Sequence, residues 1–295
     1  MFSMPLSLFS EQIINGIVLG SMYALVASGL TLIWGTMRML NFAHGEFYMI
    51  GGYVFFLLMS SLGIPSYLSA PLAIAAVFVA GIAVQRLAVH PLLGRPQWEF
   101  STLVATLGVS IFLQNAALHI WGERFKTVPY FISGVVDVFG MRLSYQRLLI
   151  LAVAIGTMLA MWYVLRRTRF GMALRATAMD RDAAMLYGVN VYQVFMLTFG
   201  IAAALAGIAA TMLSSINSIS PWMGAPLMLK GFVVVVLGGL GSFPGAILGG
   251  IIIGIVETLG VIAWSSQWRE VISFTVLILI LWFRPWGLFG VKEEA

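Results

Sequence analysis

The chain has 295 residues, 61% of them hydrophobic and only 9% charged, with a mean hydropathy of +0.99. Soluble domains carry about 25% charged residues, so this composition excludes a soluble class and requires a polytopic membrane protein. The net charge of +5 sits in loops between apolar spans, where topology accounts for it without nucleic acid, and the lack of cysteine excludes disulfides and thiolate metal sites.

No basic n-region or small-residue cleavage site opens the chain, so the first apolar run is expected to be a retained span. Residues 13–34 are long enough to cross a hydrocarbon core of roughly 30 Å as a helix. Gly16, Gly20, Ala24 and Ser28 recur at helical spacing, a stripe that another helix can approach closely. After Arg38 comes a polar interruption, Asn41-Phe42-Ala43-His44-Gly45-Glu46. The second span, residues 48–62, is short unless it begins inside that interruption, and residues 67–87 form a third. The loop 88–100 carries Arg95, with Arg86 at its edge, and reads as cytoplasmic because Lys and Arg concentrate on that side. A fourth span covers 101–121. The mixed-charge segment 122–146 follows on the exterior, where Pro129 and the run Val135-Val136-Asp137-Val138-Phe139-Gly140 predict turns and a short hairpin.

The fifth span, 147–165, leads into the longest polar segment, residues 166–190, which Arg166, Arg167, Arg169, Arg175 and Arg181 assign to the cytoplasm. Within it Asp182-Ala183-Ala184 is followed after three residues by Gly188. This predicts a short helix from about Ala176 to Gly188, ended by the glycine, with Arg175, Asp180 and Asp182 offering charge pairs at its rim and Ala183 and Ala184 allowing close seating against another protein. The sixth span, 191–213, again has a small stripe, Ala202, Ala206 and Ala210, and residues 214–226 read as exterior loop.

Residues 227–240 are apolar but too short to cross alone, and they end in Gly238-Gly239-Leu240-Gly241-Ser242-Phe243-Pro244-Gly245. Another apolar run, 246–262, carries Ala246, Gly250 and Gly254 in line, and 270–283 is a last short span. The glycine–proline cluster predicts a broken or re-entrant helix, tolerated at membrane depth only where protein or a wet cavity satisfies the freed backbone. A re-entrant turn would leave the C-terminal end outside; two crossings would bring it inside. The expected fold is thus an all-α transmembrane bundle of about eight spans, one domain over residues 1–295. Glycine-striped helices beside polar breaks, early and late in the chain, raise the possibility of an inverted repeat around a translocation path.

Asn41, His44 and Glu46 either cap a broken helix and bridge neighbours or line that path, to which Gly238, Gly239, Gly241 and Pro244 are also assigned. Glu257 lies deep in an apolar run and must face protein or water. Few other ionisable residues accompany it, so a structural hydrogen bond or a pore-lining role is expected rather than proton coupling. Gly239-Leu240-Gly241 lacks the strand–loop–helix setting of a dinucleotide loop, and no Walker lysine motif occurs. His90 and His119 have no second ligand at metal spacing, and no nucleophile–base set can be assembled, so an enzyme is not expected.

Asp182-Ala183-Ala184-x-x-x-Gly188 resembles the EAA-x-x-x-G coupling loop of permease subunits in bacterial ABC importers. Together with residues 41–46, the run 231–245 and the closing Phe283-Arg284-Pro285-Trp286-Gly287-Leu288-Phe289-Gly290, it makes the whole chain similar to the branched-chain amino acid permease family. Two departures stand out: aspartate replaces the glutamate, and the downstream Leu-Pro is missing, with Ala203-Ala204 in that neighbourhood. The resemblance implies a bacterial inner-membrane permease paired with a second, related permease subunit. Two cytoplasmic ATPase subunits would bind the ATP and magnesium, this chain itself holding no cofactor, and a periplasmic binding protein would deliver leucine, isoleucine, valine or a related solute. Relatives of the family also handle urea, short amides and aromatic acids. The other classes compatible with the residues are a secondary transporter and a passive channel for a small amide or amino acid.

Overall fold

The computed structural model describes residues 6–138 and 141–290. Its helices are α1 (Leu6–Met37), α2 (His44–Phe56, prolonged by a π-turn, Leu57–Ser61), α3 (Ser66–Val84, prolonged by Gln85–Val89), α4 (Trp98–Trp121), α5 (Tyr145–Arg167), α6 (Arg169–Met179), α7 (Arg181–Leu186), α8 (Val191–Leu213), α9 (Gly224–Gly238), α10 (Phe243–Ala263) and α11 (Arg269–Phe283). Among the described residues, seven helical segments are long and apolar enough to cross a membrane, and with the shorter α2 and α9 they approximate the eight spans anticipated. The anticipated short hairpin is present: β1 (Val135–Val138) pairs antiparallel with β2 (Met141–Ser144).

Helix ends follow local chemistry. Side-chain oxygens of Thr168, Asp180, Asn190 and Ser242 accept from the first free backbone N–H groups of α6, α7, α8 and α10. Arg38 ends α1 in a left-handed conformation, φ +56°.

Small residues decide which helices touch. A Cβ on Gly20 would stand 2.6 Å from the Gly250 carbonyl oxygen, and one on Gly254 would stand 2.4 Å from the Gly16 oxygen. The stripes on α1 and α10, separate in sequence, are therefore the two halves of one antiparallel backbone seam. Alanines of α8 work the same way: one on the stripe, Ala210, has its Cβ 2.9 Å from where a Cβ on Gly51 of α2 would stand, and Ala203, beside the stripe, has its Cβ 2.5 Å from where one on Gly81 of α3 would stand. By contrast α4 and α11 bury very little and turn Phe112, Ile120, Leu279 and Trp282 outward, surfaces suited to lipid or to a neighbouring subunit.

The bundle's arginine-rich end carries α6 and α7, the end that the arginine bias assigns to the cytoplasm. Two helices start in mid-bundle rather than at an end. His44, the first residue of α2, lies beside Val26 and Gly29 of α1 and Ala202 of α8, at the middle of both long helices, and α2 runs outward. Helix α9 starts at Gly224, whose backbone touches Gly45, and runs inward. The second span does begin inside the polar interruption, and the half-helices α2 and α9 leave their meeting point in opposed directions. The loop 214–223 carries the chain from the exterior end of α8 down to that meeting point, with Ile219 held to Lys126 by backbone hydrogen bonds of 2.8 and 3.0 Å.

The glycine-rich break between α9 and α10 lies at the cytoplasmic end, where Gly241 approaches Gly35 of α1. Helix α10 then crosses outward and α11 returns. The segment after α11 closes on the break, Leu288 N donating to Leu237 O at 2.9 Å and Phe289 N to Gly238 O at 3.0 Å. Residue 290 therefore lies at the same end of the bundle as α6 and α7, the arrangement expected of two crossings and not of a re-entrant turn.

Candidate functional site

The cytoplasmic segment folds as a compact knob. Arg175 donates from Nη1 to the Leu165 carbonyl, covering a free end of α5, and a Cβ on Gly171 would collide with the same turn, so α6 folds back tightly on α5. One helix over 176–188 was expected; the structure has two, because Asp180 leaves helical geometry and caps α7. Its Oδ1 accepts from Asp182 N at 2.9 Å and Ala183 N at 3.0 Å. Gly188 then ends α7 at φ +82°, with Val189 N reaching back to Ala184 O at 3.0 Å.

Small residues at 183 and 184 were expected to seat a partner, yet Ala184 is buried in a cluster with Met37, Val191 and Phe195. Ala176 is half-buried against the same cluster, so both alanines seat the knob on its own bundle. Asp182 is exposed, whereas the polar groups of Arg175 and Asp180 are engaged within the knob. The outward face belongs instead to Met179, Leu186 and Tyr187, which are 90%, 88% and 89% exposed. Sequence reasoning passed over them, although three large apolar side chains in an arginine-rich loop are the signal of a covered surface.

Arg181 ties this knob to the transmembrane helices. Its Nη2 donates to the Met37 carbonyl at the end of α1 at 2.8 Å, and its guanidinium lies 4.4 Å from the ring centre of Trp98 at the start of α4 and 5.3 Å from that of Phe195 in α8. Burial lowers the pKa of this guanidinium, while Glu99 and Asp182 act to raise it.

The eight candidate pathway residues fall in three places. Asn41, His44 and Glu46 come together where α2 meets α9. Asn41 Oδ1 accepts from Ala43 N at 3.1 Å, bracing the turn that precedes α2 without capping the helix itself; His44 Nε2 meets Val26 O at 3.1 Å; Ser110 of α4 donates to Glu46 Oε1 at 3.0 Å. Glu46 Oε2 has no hydrogen-bond partner among the described residues and faces Gly224, 2.9 Å from where a Cβ there would stand. Among the described residues Glu46 makes no ion pair; it lies in the first turn of α2 and beside the start of α9, where the free N–H ends of both helices favour negative charge. Gly238, Gly239, Gly241 and Pro244 lie at the cytoplasmic turn, where Gly241 and Pro244 border a cleft of about 260 Å³ beneath the knob.

Glu257 lies toward the exterior end and is not solitary. Lys230 Nζ is 3.0 Å from its Oε2 and Arg269 Nε 3.2 Å from its Oε1, while the Tyr23 and Ser273 hydroxyls donate to it at 3.0 and 3.2 Å. Lys230 also pairs with Glu270 at 3.1 Å. Lys230 stands inside the run 227–240 that reads as apolar, and Arg269 sits outside any span, so neither was recognised as a partner from the sequence.

Comparison with known proteins places these features in a family. The profile described as branched-chain amino acid transport system / permease component matches residues 12–281. The chain is 38% identical to the high-affinity branched-chain amino acid transport system permease protein BraD of Pseudomonas aeruginosa, over 97% of each chain. It is 38% identical to the corresponding protein LivH of Escherichia coli K12, over 97% of this chain and 96% of that one. It is also 29% identical to a probable LivH of Methanocaldococcus jannaschii, over 95% of this chain and 93% of that one. A multi-pass bundle with this knob, matched end to end by these relatives, belongs to the branched-chain amino acid transport permease family.

Proposed function

We propose that this chain is one permease subunit of an ATP-driven importer that carries branched-chain amino acids across a bacterial inner membrane. In this reading two separate ATPase subunits, which bind the ATP and magnesium, act on the α6–α7 knob. A second permease subunit and a periplasmic binding protein complete the assembly. The observation that carries the reading is the knob's two-sided construction. Outside, Met179, Leu186 and Tyr187 offer an uncovered apolar face; inside, Arg181 and Ala184 join it to α1, α4 and α8.

A groove that seats the outer face and moves on nucleotide binding displaces α7 as a unit, since a six-residue helix capped at both ends has no slack. Through Arg181 the displacement reaches the cytoplasmic ends of α1, α4 and α8. Because α1 contacts α10 backbone to backbone, its shift is handed on to α10 without side chains to absorb it. A gradient-driven carrier or passive channel is not favoured, since the relatives are components of branched-chain amino acid transport systems.

The test is Leu186→Asp with Tyr187→Asp. Both side chains are almost fully exposed, so the chain is expected to fold and insert normally while capture of the ATPase subunits and ATP-dependent leucine uptake fall at least tenfold. Normal uptake by the double variant would overturn this use of the knob.

A further inference from the structure

At the exterior end an open cleft of about 290 Å³ lies between α1, α2, the 214–223 loop, α9 and the start of α11. One wall is apolar, formed by Leu19, Leu213, Met223 and Leu227; the other presents Lys230, Arg269 and Glu270. Behind that wall stands Glu257. Lys230 is shared by two carboxylates of unequal standing. Glu257 is 1% exposed and is held also by Arg269, Tyr23 and Ser273, whereas Glu270 is 50% exposed and its ion pair among the described residues is with Lys230. One carboxylate is fixed; the other can swing into the cleft.

We propose that this cleft binds a zwitterionic amino acid with an apolar side chain, and that the Lys230–Glu270 pair opens to receive it. The ligand carboxylate takes the place of Glu270 on Lys230, the released Glu270 carboxylate takes the ligand ammonium, and the side chain lies on Leu19, Met223 and Leu227. Charge balance selects the class. Lys230 and Arg269 offset Glu257 and Glu270, so the cluster is neutral and accepts a neutral zwitterion as two new ion pairs in place of one. A bare carboxylate or a bare amine would leave one charge of the cluster without a counterpart. The volume of about 290 Å³, just below the range of about 300–1,000 Å³ for ligand pockets, suits a small solute. The inference rests on the importer reading and deepens it by naming what the chain itself recognises.

The complete complex, with its partner permease, ATPases and binding protein, is assayed for ATP-driven uptake of L-leucine in liposomes. Separately, the nucleotide-free complex without binding protein is assayed for labelled leucine binding in competition with 4-methylpentanoate, which lacks the amine, and 3-methylbutylamine, which lacks the carboxylate. In the wild type each analogue is expected to compete at least about tenfold more weakly than leucine itself, the factor that about 1.4 kcal/mol supplies. In Glu270→Gln leucine is expected to fall to the level of 4-methylpentanoate, with Glu270→Asp recovering part of the preference. A merely structural role for Glu270 would change assembly without altering the ranking of ligands. Equal competition by either analogue in the wild type, or a leucine preference retained in Glu270→Gln, overturns the inference while leaving the importer reading standing if leucine uptake is normal. A wild-type complex that moves no leucine overturns both.

Discussion

Arg181→Ala removes the strut between the cytoplasmic knob and the bundle. The charge-assisted hydrogen bond to the Met37 carbonyl, 2.8 Å long, is worth about 1.5–3 kcal/mol net. The guanidinium over Trp98 and Phe195 adds about 0.5–1 kcal/mol at a half-buried position. The sum, about 2–4 kcal/mol, corresponds to a roughly 30- to 900-fold rise in the equilibrium for local opening of the knob. Amide hydrogen exchange of α7 in the assembled complex reads that factor directly. Uptake should suffer more than hydrolysis, because the ATPases still seat on the exposed face but pull on an element that yields; the ratio of leucine imported to ATP hydrolysed is expected to drop. Arg181→Lys, which keeps the charge but not the planar stacking, should fall between. Unchanged protection of α7 in Arg181→Ala, or a normal coupling ratio, would refute the strut.

Lys230→Met leaves Glu257 and Glu270 without their shared cation, and since Lys230 and Glu257 are almost wholly buried the loss should be about 3–5 kcal/mol. Arg269→Met, at a half-exposed position, should cost about 1 kcal/mol or less, and Lys230→Met with Glu257→Gln should recover part of the larger loss, all readable by thermal unfolding in detergent. Gly254→Leu should abolish stable folding by wedging α1 away from α10, whereas Gly108→Ala, where nothing lies within 4 Å of the added methyl, should be neutral or slightly stabilising. Folded protein yield and unfolding temperature compare the two.

Much of this protein is legible residue by residue because the bilayer imposes local rules. Span length and apolarity place α1, α3, α4, α5, α8 and α10, arginine bias suggests the side, and Gly188 marks where a helix stops. The motif around Asp182 pointed to the knob, yet not to its orientation: Ala184 faces inward because burial of the Met37–Phe195 cluster, contributed by α1 and α8, is decided by elements far away in the chain. The same holds for depth. A glycine-rich break reads alike at the midplane and at an end, and only the approach of Gly241 to Gly35 and of Leu288 to Leu237 sets it at the cytoplasmic surface.

Sequence periodicity by itself determined that small residues line one face of α1 and one face of α10. That Gly16 meets Gly254, and that Lys230, Glu257 and Arg269 from three helices share one charge cluster, is decided by tertiary packing alone. The reason is physical: helix formation depends on neighbours three and four residues away, while backbone seams and buried ion pairs depend on which distant surfaces can come within van der Waals and hydrogen-bond reach.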